Sequence, residues 1–318
     1  MSAISRRSLL AGVAAVTAAA KAAKPSWRPK LGVLGEYTPA NLEFAKAEGF
    51  TSIGLWANGG STLAPGKVTD AELEAARSAI AQSGIHLSVV GATNNHVAPD
   101  PDHRAQENAN FVKVIEIAGK LGAPYVGTAS GTMPGRPLKE QVNEIVRVYE
   151  QHYFPVCEKY KVRILWEPWP DGPNVATGPQ GYDALFGAFG NSPYVGLQYD
   201  PSHLVRLFMD TVQCARDYAD KIYDVHLKDT EIQWHVLRKV GIRPFDHVSW
   251  WRYRIPGNGS IDWPAFFTVL EEAGFQGSMN IEHEDDLYGA MPPHHDFTDD
   301  YKTGFRVGHR YLRQYVPA

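Results

Sequence analysis

Short apolar segments alternate with longer segments of helical periodicity along most of the chain. Apolar residues between Leu138 and Tyr160 recur every three or four positions, which predicts a helix with one buried face. Gly84 and Gly122 stand just before strand candidates, as is typical of helix ends. Eight short apolar segments are predicted strands: Leu31 to Gly35, Ser52 to Ala57, His86 to Ala92, Tyr125 to Ala129, Val162 to Glu167, Val195 to Asp200, Tyr223 to Leu227 and Gly277 to Glu282.

Eight strand–helix units favour a closed (β/α)₈ TIM barrel of the α/β class over a doubly wound sheet. A barrel with insertions also fits the length of 318 residues, so we predict a single domain over residues 30–318. The connection after the seventh strand, at about residues 230–261, is long and rich in Trp, Arg and His. Long ordered connections are usually functional. We expect this one to form a lid or rim of the site, or a contact between subunits of a homo-oligomer.

The first 23 residues differ from the rest of the chain. Arg6 and Arg7 precede an alanine-rich apolar run, Leu9 to Ala20, and small residues continue to Ala23. This order predicts a cleaved signal peptide, and the paired arginines resemble a twin-arginine signal. The run is too short for a permanent transmembrane helix. We therefore expect export, for example to the periplasm, without stable membrane insertion after cleavage. An ordinary cytosolic amino terminus is the alternative.

Composition excludes several other classes of protein. With 44% hydrophobic and 21% charged residues, the chain can bury a full core and is not a disordered or fibrous protein. Its 31 basic and 35 acidic residues leave a net charge of −4, which gives no general reason to expect binding to nucleic acid or an anionic membrane. Two cysteines, Cys157 and Cys214, are too few for a disulfide framework or a cysteine-based zinc site.

Three carboxylates and one histidine lie at the ends of four consecutive strand candidates. Because the chemistry of a barrel gathers at the carboxyl ends of its strands, we expect them to converge at its mouth. Buried together, the carboxylates would repel one another unless a cation lay between them. Mn²⁺ suits the set best, with Mg²⁺, Co²⁺ or Zn²⁺ as alternatives. Taken singly, such a residue is more often a helix cap or loop partner. The candidate ligands are Glu167, Asp200, His226 and Glu282.

The motifs around these residues resemble the xylose isomerase-like superfamily of sugar phosphate isomerases and epimerases. They are Trp166-Glu167-Pro168, Tyr199-Asp200-Pro201-Ser202-His203, His226-Leu227-Lys228-Asp229, Pro256-Gly257-Asn258-Gly259-Ser260-Ile261-Asp262 and Ile281-Glu282-His283. The resemblance implies the barrel, the metal site and a small-molecule carbohydrate substrate. It also implies that Glu167 and Glu282, besides holding the metal, form the acid/base pair. They would move a proton on carbon next to a carbonyl, through an enediolate.

Further residues near the strand ends are candidate substrate contacts. His203 matches a family histidine that contacts a substrate oxygen near the metal. Lys228, two residues past His226, would contact substrate if its strand ends there; a salt bridge is the alternative. Weaker candidates, each with a packing, ion-pair or solvated-loop alternative, are Trp56, His96, Trp169 and Arg254.

The expected function is metal-dependent isomerisation or epimerisation of a sugar or sugar derivative. Export and the long aromatic connection favour a bulkier or glycosylated substrate over a sugar phosphate. A lyase or deglycosidase that acts on 3-keto-glycosides by β-elimination is therefore the alternative enzyme. A nuclease of the same superfamily would need more histidine ligands and a basic groove. A non-catalytic periplasmic sugar-binding protein would be expected to have lost Glu167 or Glu282.

Overall fold

The computed structural model describes residues 27–190, 192–289 and 295–316, and it has the predicted barrel fold. All strands except β8 and β9 close into one parallel barrel in the order β1-β10-β7-β6-β5-β4-β3-β2. Each barrel strand lies within two residues of its predicted segment. The strands are β1 (Lys30–Gly35), β2 (Ser52–Trp56), β3 (His86–Gly91), β4 (Tyr125–Thr128), β5 (Arg163–Trp166), β6 (Val195–Tyr199), β7 (Ile222–Leu227), β8 (Asp229–Ile232), β9 (Trp251–Arg254) and β10 (Ser278–Ile281).

The helices that cover the barrel begin and end at residues with the expected capping chemistry. Thr69 begins α2 in a capping box with Glu72. Gly84 and Gly122 end α2 and α3 in the left-handed conformation, as the sequence predicts. The helices are α1 (Pro39–Ala47), α2 (Asp70–Ser83), α3 (Pro101–Leu121), α4 (Leu138–Val148), α5 (Phe154–Tyr160), α6 (Pro179–Phe189), α7 (Pro201–Val205), α8 (Thr211–Asp217), α9 (Trp234–Val240), α10 (Trp263–Glu272) and α11 (Asp299–Leu312).

The predicted helix between Leu138 and Tyr160 contains a widened turn. Residues Tyr149–Tyr153 form a π-helical turn between α4 and α5, next to Pro155, which has no backbone N–H to donate. The wider turn leaves both Tyr149 and Tyr153 fully buried. The Tyr149 hydroxyl accepts a hydrogen bond of 3.1 Å from the Trp166 indole, so this helix supports the last residue of β5 from outside the barrel.

The long connection after β7 is folded rather than extended. Its strands β8 and β9 pair antiparallel, with Thr230 opposite Tyr253, and α9 lies between them. We call the β8–β9 pair the hairpin. It is fixed to the barrel mouth because the Thr230 hydroxyl donates a hydrogen bond of 2.9 Å to the Ser202 carbonyl of α7.

The predicted signal peptide, residues 1–23, lies outside the described residues, so export stays a prediction that cell fractionation can test. Among the described residues, no helix has the length and hydropathy needed to cross a bilayer. Cys157 and Cys214 are both buried and both unpaired.

Candidate metal centre and active site

The four predicted metal ligands lie together at the barrel mouth. Glu167, Asp200 and Glu282 directly follow β5, β6 and β10, and His226 is the penultimate residue of β7. These four strands are consecutive neighbours in the barrel. One ligand atom from each residue lies within 4.8 Å of the others, and the His226 Nδ1 is 3.1 Å from both Glu167 Oε1 and Glu282 Oε2. We call these four residues the ligand cluster.

The ligand cluster fits a divalent cation. The Asp200 side chain is fully buried, yet its Oδ2 accepts no hydrogen bond from any described residue. This oxygen pairs with the Lys228 Nζ at 3.2 Å, and since it accepts no hydrogen bond it can take a cation as a further partner. The two 3.1 Å spacings around the His226 Nδ1 suit bonds of roughly 2.1 Å to one central ion. Three carboxylates and one imidazole are a donor set for Mn²⁺, Mg²⁺, Co²⁺ or Zn²⁺.

Burial and charge act in opposite directions on these side chains. Burial raises the pKa of the Glu167 carboxyl, but His226 and Lys228 outweigh it and hold this pKa well below its usual range. Burial also opposes ionisation of Glu282, yet Lys228 and His226 lower its pKa to about 2. Both glutamates are therefore ionised at neutral pH. That is the form required of a metal ligand and of a proton acceptor.

Lys228 points into the site because it lies two residues after His226, and residues two apart along a strand share a face. Its Nζ lies 2.6 Å from Glu282 Oε2, 2.8 Å from Glu284 Oε2 and 3.2 Å from Asp200 Oδ2. Burial lowers the pKa of Lys228, but these carboxylates outweigh burial and hold it well above its usual value. The residue thus forms the predicted salt bridge and also lines the cavity described below.

The segment after β6 explains how His203 reaches the site. Asp200 Oδ1 accepts a hydrogen bond of 2.8 Å from the Ser202 backbone N–H and so begins α7, with Pro201 at the first helical position. This turn brings His203 Nε2 to 3.3 Å from Glu167 Oε1 and 3.4 Å from Asp200 Oδ2. The motif therefore places one metal ligand and one histidine side by side.

A cavity of about 230 Å³ opens over the ligand cluster, and we call it the central cavity. Glu167 and Glu282 form part of its floor. Four of the predicted substrate contacts line it: Trp56, Trp169, His203 and Lys228. The remaining lining residues are Glu36, Asn58, Thr93, Tyr253 and Glu284.

Tyr253 is a pocket residue that the sequence analysis missed. It lies on β9 of the hairpin, and its hydroxyl is 2.9 Å from His203 Nδ1. Its ring lies over the Lys228 ammonium, 4.4 Å from Nζ to the ring centroid. The hairpin therefore forms one wall of the central cavity. The aromatic composition of the connection was the available signal, but it did not single out this residue.

The structure corrects the prediction that His96 contacts substrate. His96 is fully buried and is absent from the lining of the central cavity. Its Nδ1 is 2.9 Å from the Tyr153 hydroxyl and its Nε2 is 3.0 Å from the Ala129 carbonyl. Burial lowers the pKa of His96 to about 3, so the ring is neutral. It is a core residue between the barrel and its helices.

The structure also corrects the prediction for Arg254. Its Nε donates a hydrogen bond of 2.9 Å to Asp285 Oδ2, and its Nη1 pairs with Glu231. These contacts turn the guanidinium away from the central cavity, which Arg254 does not line. The ion-pair alternative therefore applies, and Arg254 ties the hairpin to the segment after β10.

Asp229 explains why the segment from Pro256 to Asp262 resembles a family motif. Its Oδ1 accepts hydrogen bonds from the backbone N–H groups of Thr230 (2.8 Å) and Ile261 (3.2 Å). Its Oδ2 accepts from the Gly257 N–H (3.0 Å) and the Trp263 indole (2.9 Å). One buried carboxylate thus fixes the return of the chain from the hairpin to α10.

We expect Asp229→Ala to lower the free energy of unfolding by about 3 kcal/mol, because it leaves several buried N–H donors without an acceptor. Urea denaturation of the purified protein would measure this loss. Asp262→Ala is the matched control, since Asp262 caps α10 through a single hydrogen bond to Ala265, and we expect it to cost about 1 kcal/mol. An Asp229→Ala loss no larger than the control's would contradict this role.

Comparison with known proteins agrees with this geometry. A family model described as a xylose isomerase-like TIM barrel matches residues 42–315. The chain belongs to this family. The uncharacterized protein YfiH of Bacillus subtilis (strain 168) is 27% identical to this xylose isomerase-like barrel over 220 residues, covering 58% of this chain and 68% of YfiH.

Two further comparisons rest on different evidence, one on sequence identity and the other on structural superposition. Inosose dehydratase of Clostridium tetani (strain Massachusetts / E88) is 32% identical over 99 residues, which span 31% of this chain and only 33% of the dehydratase. The crystal structure of 3-keto-D-glucoside 4-epimerase, YcjR, from E. coli superposes with a TM-score of 0.65 at 16% identity, covering 90% of this chain and 100% of that chain. At this identity the second comparison shows a shared fold.

Proposed function

We propose that this barrel is a divalent metal-dependent sugar isomerase or epimerase, with Mn²⁺ as the expected metal. The observation that carries the proposal is the pair of ionised glutamates, Glu167 and Glu282. Both meet the His226 Nδ1 at 3.1 Å and both line the central cavity. The epimerase and dehydratase among its relatives support a carbohydrate substrate.

The expected step is removal of a proton from carbon next to a carbonyl. The divalent ion held by the ligand cluster would supply a Lewis acid that stabilises negative charge developing on the substrate oxygens. One of the two ionised glutamates accepts the proton. For epimerisation the other glutamate first takes up a proton from solvent and delivers it to the opposite face of the carbon, whereas for isomerisation the accepted proton is returned to the neighbouring carbon. The N–H groups of His203 Nε2 and Lys228 Nζ, which here face carboxylates, would turn to substrate oxygens when the metal and substrate bind. The Tyr253 hydroxyl orients the His203 ring.

Two tryptophans give the central cavity apolar surface suited to a sugar ring. Trp56 and Trp169 both line it. The Trp56 ring lies against the backbone of Gly91, where a Cβ would come within 2.8 Å of the ring. This close approach fixes the ring position, and a fixed aromatic face can pack on the C–H face of a pyranose while the polar groups opposite bind its hydroxyls.

A lyase or deglycosidase acting by β-elimination on 3-keto-glycosides is the second candidate. It begins with the same proton abstraction, but the bond to the leaving oxygen then breaks, and that oxygen must receive a proton. The Lys228 ammonium favours this possibility, since it lies 2.6 Å from Glu282 Oε2 and is a proton donor next to the proposed base.

Proton NMR in D₂O tests both candidates. We expect the Mg²⁺-loaded protein, incubated with a panel of ketoses, aldoses and 3-keto-glycosides, to place deuterium on carbon next to the carbonyl of at least one compound. Isomerisation or epimerisation keeps all carbons in one product, whereas elimination yields two. The Glu167→Gln/Glu282→Gln double variant is the control for uncatalysed exchange. Exchange at the control's rate with every compound would refute the proposed function.

A further inference from the structure

A second cavity adjoins the central cavity, and we call it the side cavity. Its volume is about 200 Å³, against about 230 Å³ for the central cavity. Asn58 and Thr93, in the loops after β2 and β3, line both cavities. The Thr93 backbone N–H donates a hydrogen bond of 3.0 Å to Asn58 Oδ1, so these two exposed residues form a ridge shared by the two cavities. A ligand group that fits the central cavity would therefore find nearly the same volume in the side cavity.

The side cavity lies on a different part of the barrel mouth from the hairpin. Its walls come from the loops after β2 and β3 and from α3, through residues such as Asn94, Glu107 and Asn110. Tyr253 of the hairpin lines the central cavity only. The side cavity therefore extends the site towards α3, and the hairpin forms no part of its lining.

The lining of the side cavity has the chemistry of a carbohydrate site. Glu107 Oε2 is held in place by hydrogen bonds from Asn94 Nδ2 (3.1 Å) and the Asn95 backbone N–H (2.9 Å). The Asn110 amide makes no hydrogen bond to any residue in the described ranges, so its donor and acceptor are available to a ligand. Amide and carboxylate groups match the paired donor and acceptor character of sugar hydroxyls.

Two further features of the lining limit the chemical class of ligand that the side cavity can bind. Val114, Ala57 and Pro65 give the side cavity an apolar surface beside its polar groups, as a sugar ring requires. No Lys or Arg is among its lining residues, so nothing in it selects for a phosphate group. A neutral ring with several hydroxyls fits both features.

We propose that the substrate is a two-ring carbohydrate, a glycoside or disaccharide, whose second ring occupies the side cavity. The reacting ring lies over Glu167 and Glu282, and the linking oxygen crosses the ridge formed by Asn58 and Thr93. Asn94, Glu107 and Asn110 bind the hydroxyls of the second ring. The placement of the reacting ring rests on the proposed function, whereas the second subsite rests on the side cavity alone.

Calorimetric titration with unreactive sugars tests the subsite without turnover. The Mg²⁺-loaded full chain is titrated with methyl α- and β-D-glucopyranoside and with maltose, cellobiose and trehalose. We expect at least one disaccharide to bind tenfold or more tightly than the methyl glucosides. Disaccharides that fail to bind, or that bind no more tightly than the methyl glucosides, would overturn the proposal.

The Asn110→Leu variant tests whether the tighter binding of the disaccharide arises in the side cavity. Since the Asn110 amide has no partner among the described residues, its loss should leave folding intact, which a thermal melt checks. We expect this variant to lose the tenfold disaccharide advantage while its affinity for methyl glucosides stays within twofold. Asn143→Leu, an exposed asparagine on α4, is the control and should change neither affinity. A disaccharide advantage that survives in Asn110→Leu would place the second ring elsewhere and overturn the proposal.

These measurements separate failure of the subsite from failure of the proposed function. Hydrogen exchange in D₂O reports the chemistry at Glu167 and Glu282, and the calorimetric ratio reports binding in the side cavity. Exchange without a disaccharide advantage would keep the isomerase and remove the second ring. A disaccharide advantage without exchange would keep the subsite and remove the proposed chemistry.

Discussion

Glu282→Gln should lower the rate of hydrogen exchange on the substrate by about 10²- to 10⁴-fold, the usual contribution of a positioned acid or base. The amide keeps the shape of the side chain and one oxygen that can face a cation, but it cannot accept a proton. In the unaltered protein, Lys228 and His226 keep the Glu282 carboxyl ionised although it is buried. Deuterium incorporation measured by NMR at saturating sugar gives the rate, and the metal content of the same sample shows whether the ligand cluster is intact.

Glu284→Gln is the matched control for this experiment. Glu284 also pairs with Lys228, at 2.8 Å, but its side chain is partly exposed and lies outside the ligand cluster. Loss of one partly exposed ion pair should change the rate by no more than about tenfold. If Glu282→Gln retains metal and exchanges hydrogen as fast as Glu284→Gln, then Glu282 has no role in proton transfer.

The barrel and the ligand cluster were predictable because both depend on local signals. A buried parallel strand is a short apolar segment, and the polar residue that ends it marks the barrel mouth, as Glu167, Asp200 and Glu282 do. Once eight such segments are assigned, the topology brings consecutive strand ends together without further information. Lys228 was open to two interpretations because its position beside a strand end does not say whether the ammonium meets substrate or neighbouring carboxylates.

Residues positioned by distant contacts were not predictable in this way. His96 also follows a strand, β3, but its ring nitrogens meet Tyr153 and Ala129, which are 57 and 33 positions further along the chain. Only the packing of α3 and the π-helical turn against the barrel decides that this histidine points into the core. The position of His96 after a strand therefore could not predict that the residue lies outside the candidate site.

Tyr253 of the hairpin is the opposite case, a residue that lines the site although the sequence did not predict it. Tyr253 reaches the central cavity because β9 pairs with β8 in one register, with Thr230 opposite Tyr253. A shift of one residue would turn Arg254 inward in its place, since neighbouring side chains on a strand point to opposite faces. A strand of four residues carries too short a pattern for the sequence to distinguish these two registers.

Asp200→Asn should remove most of the stabilisation that a divalent ion gives to the protein. A ligand that binds only the folded state at a hundred times its Kd adds about 2.7 kcal/mol, so Mn²⁺ should raise the melting temperature of the unaltered protein by several degrees. Asn retains an oxygen that can accept from the Ser202 N–H and cap α7, as Asp200 Oδ1 does at 2.8 Å. It replaces the buried Oδ2, which accepts no hydrogen bond from the described residues but pairs with Lys228 at 3.2 Å, with an N–H donor.

This substitution distinguishes a metal ligand from a structural cap. Asp210→Asn is the control, because Asp210 caps α8 through the Val212 and Gln213 N–H groups and lies outside the ligand cluster. We expect it to keep the full metal-dependent rise in melting temperature. If Asp200→Asn keeps that rise as well, the stabilising ion binds at some other point of the chain. If it loses the rise but melts normally without added metal, then neither the Oδ1 cap of α7 nor the ion pair of Oδ2 with Lys228 accounts for the change, and Oδ2 serves to bind the ion.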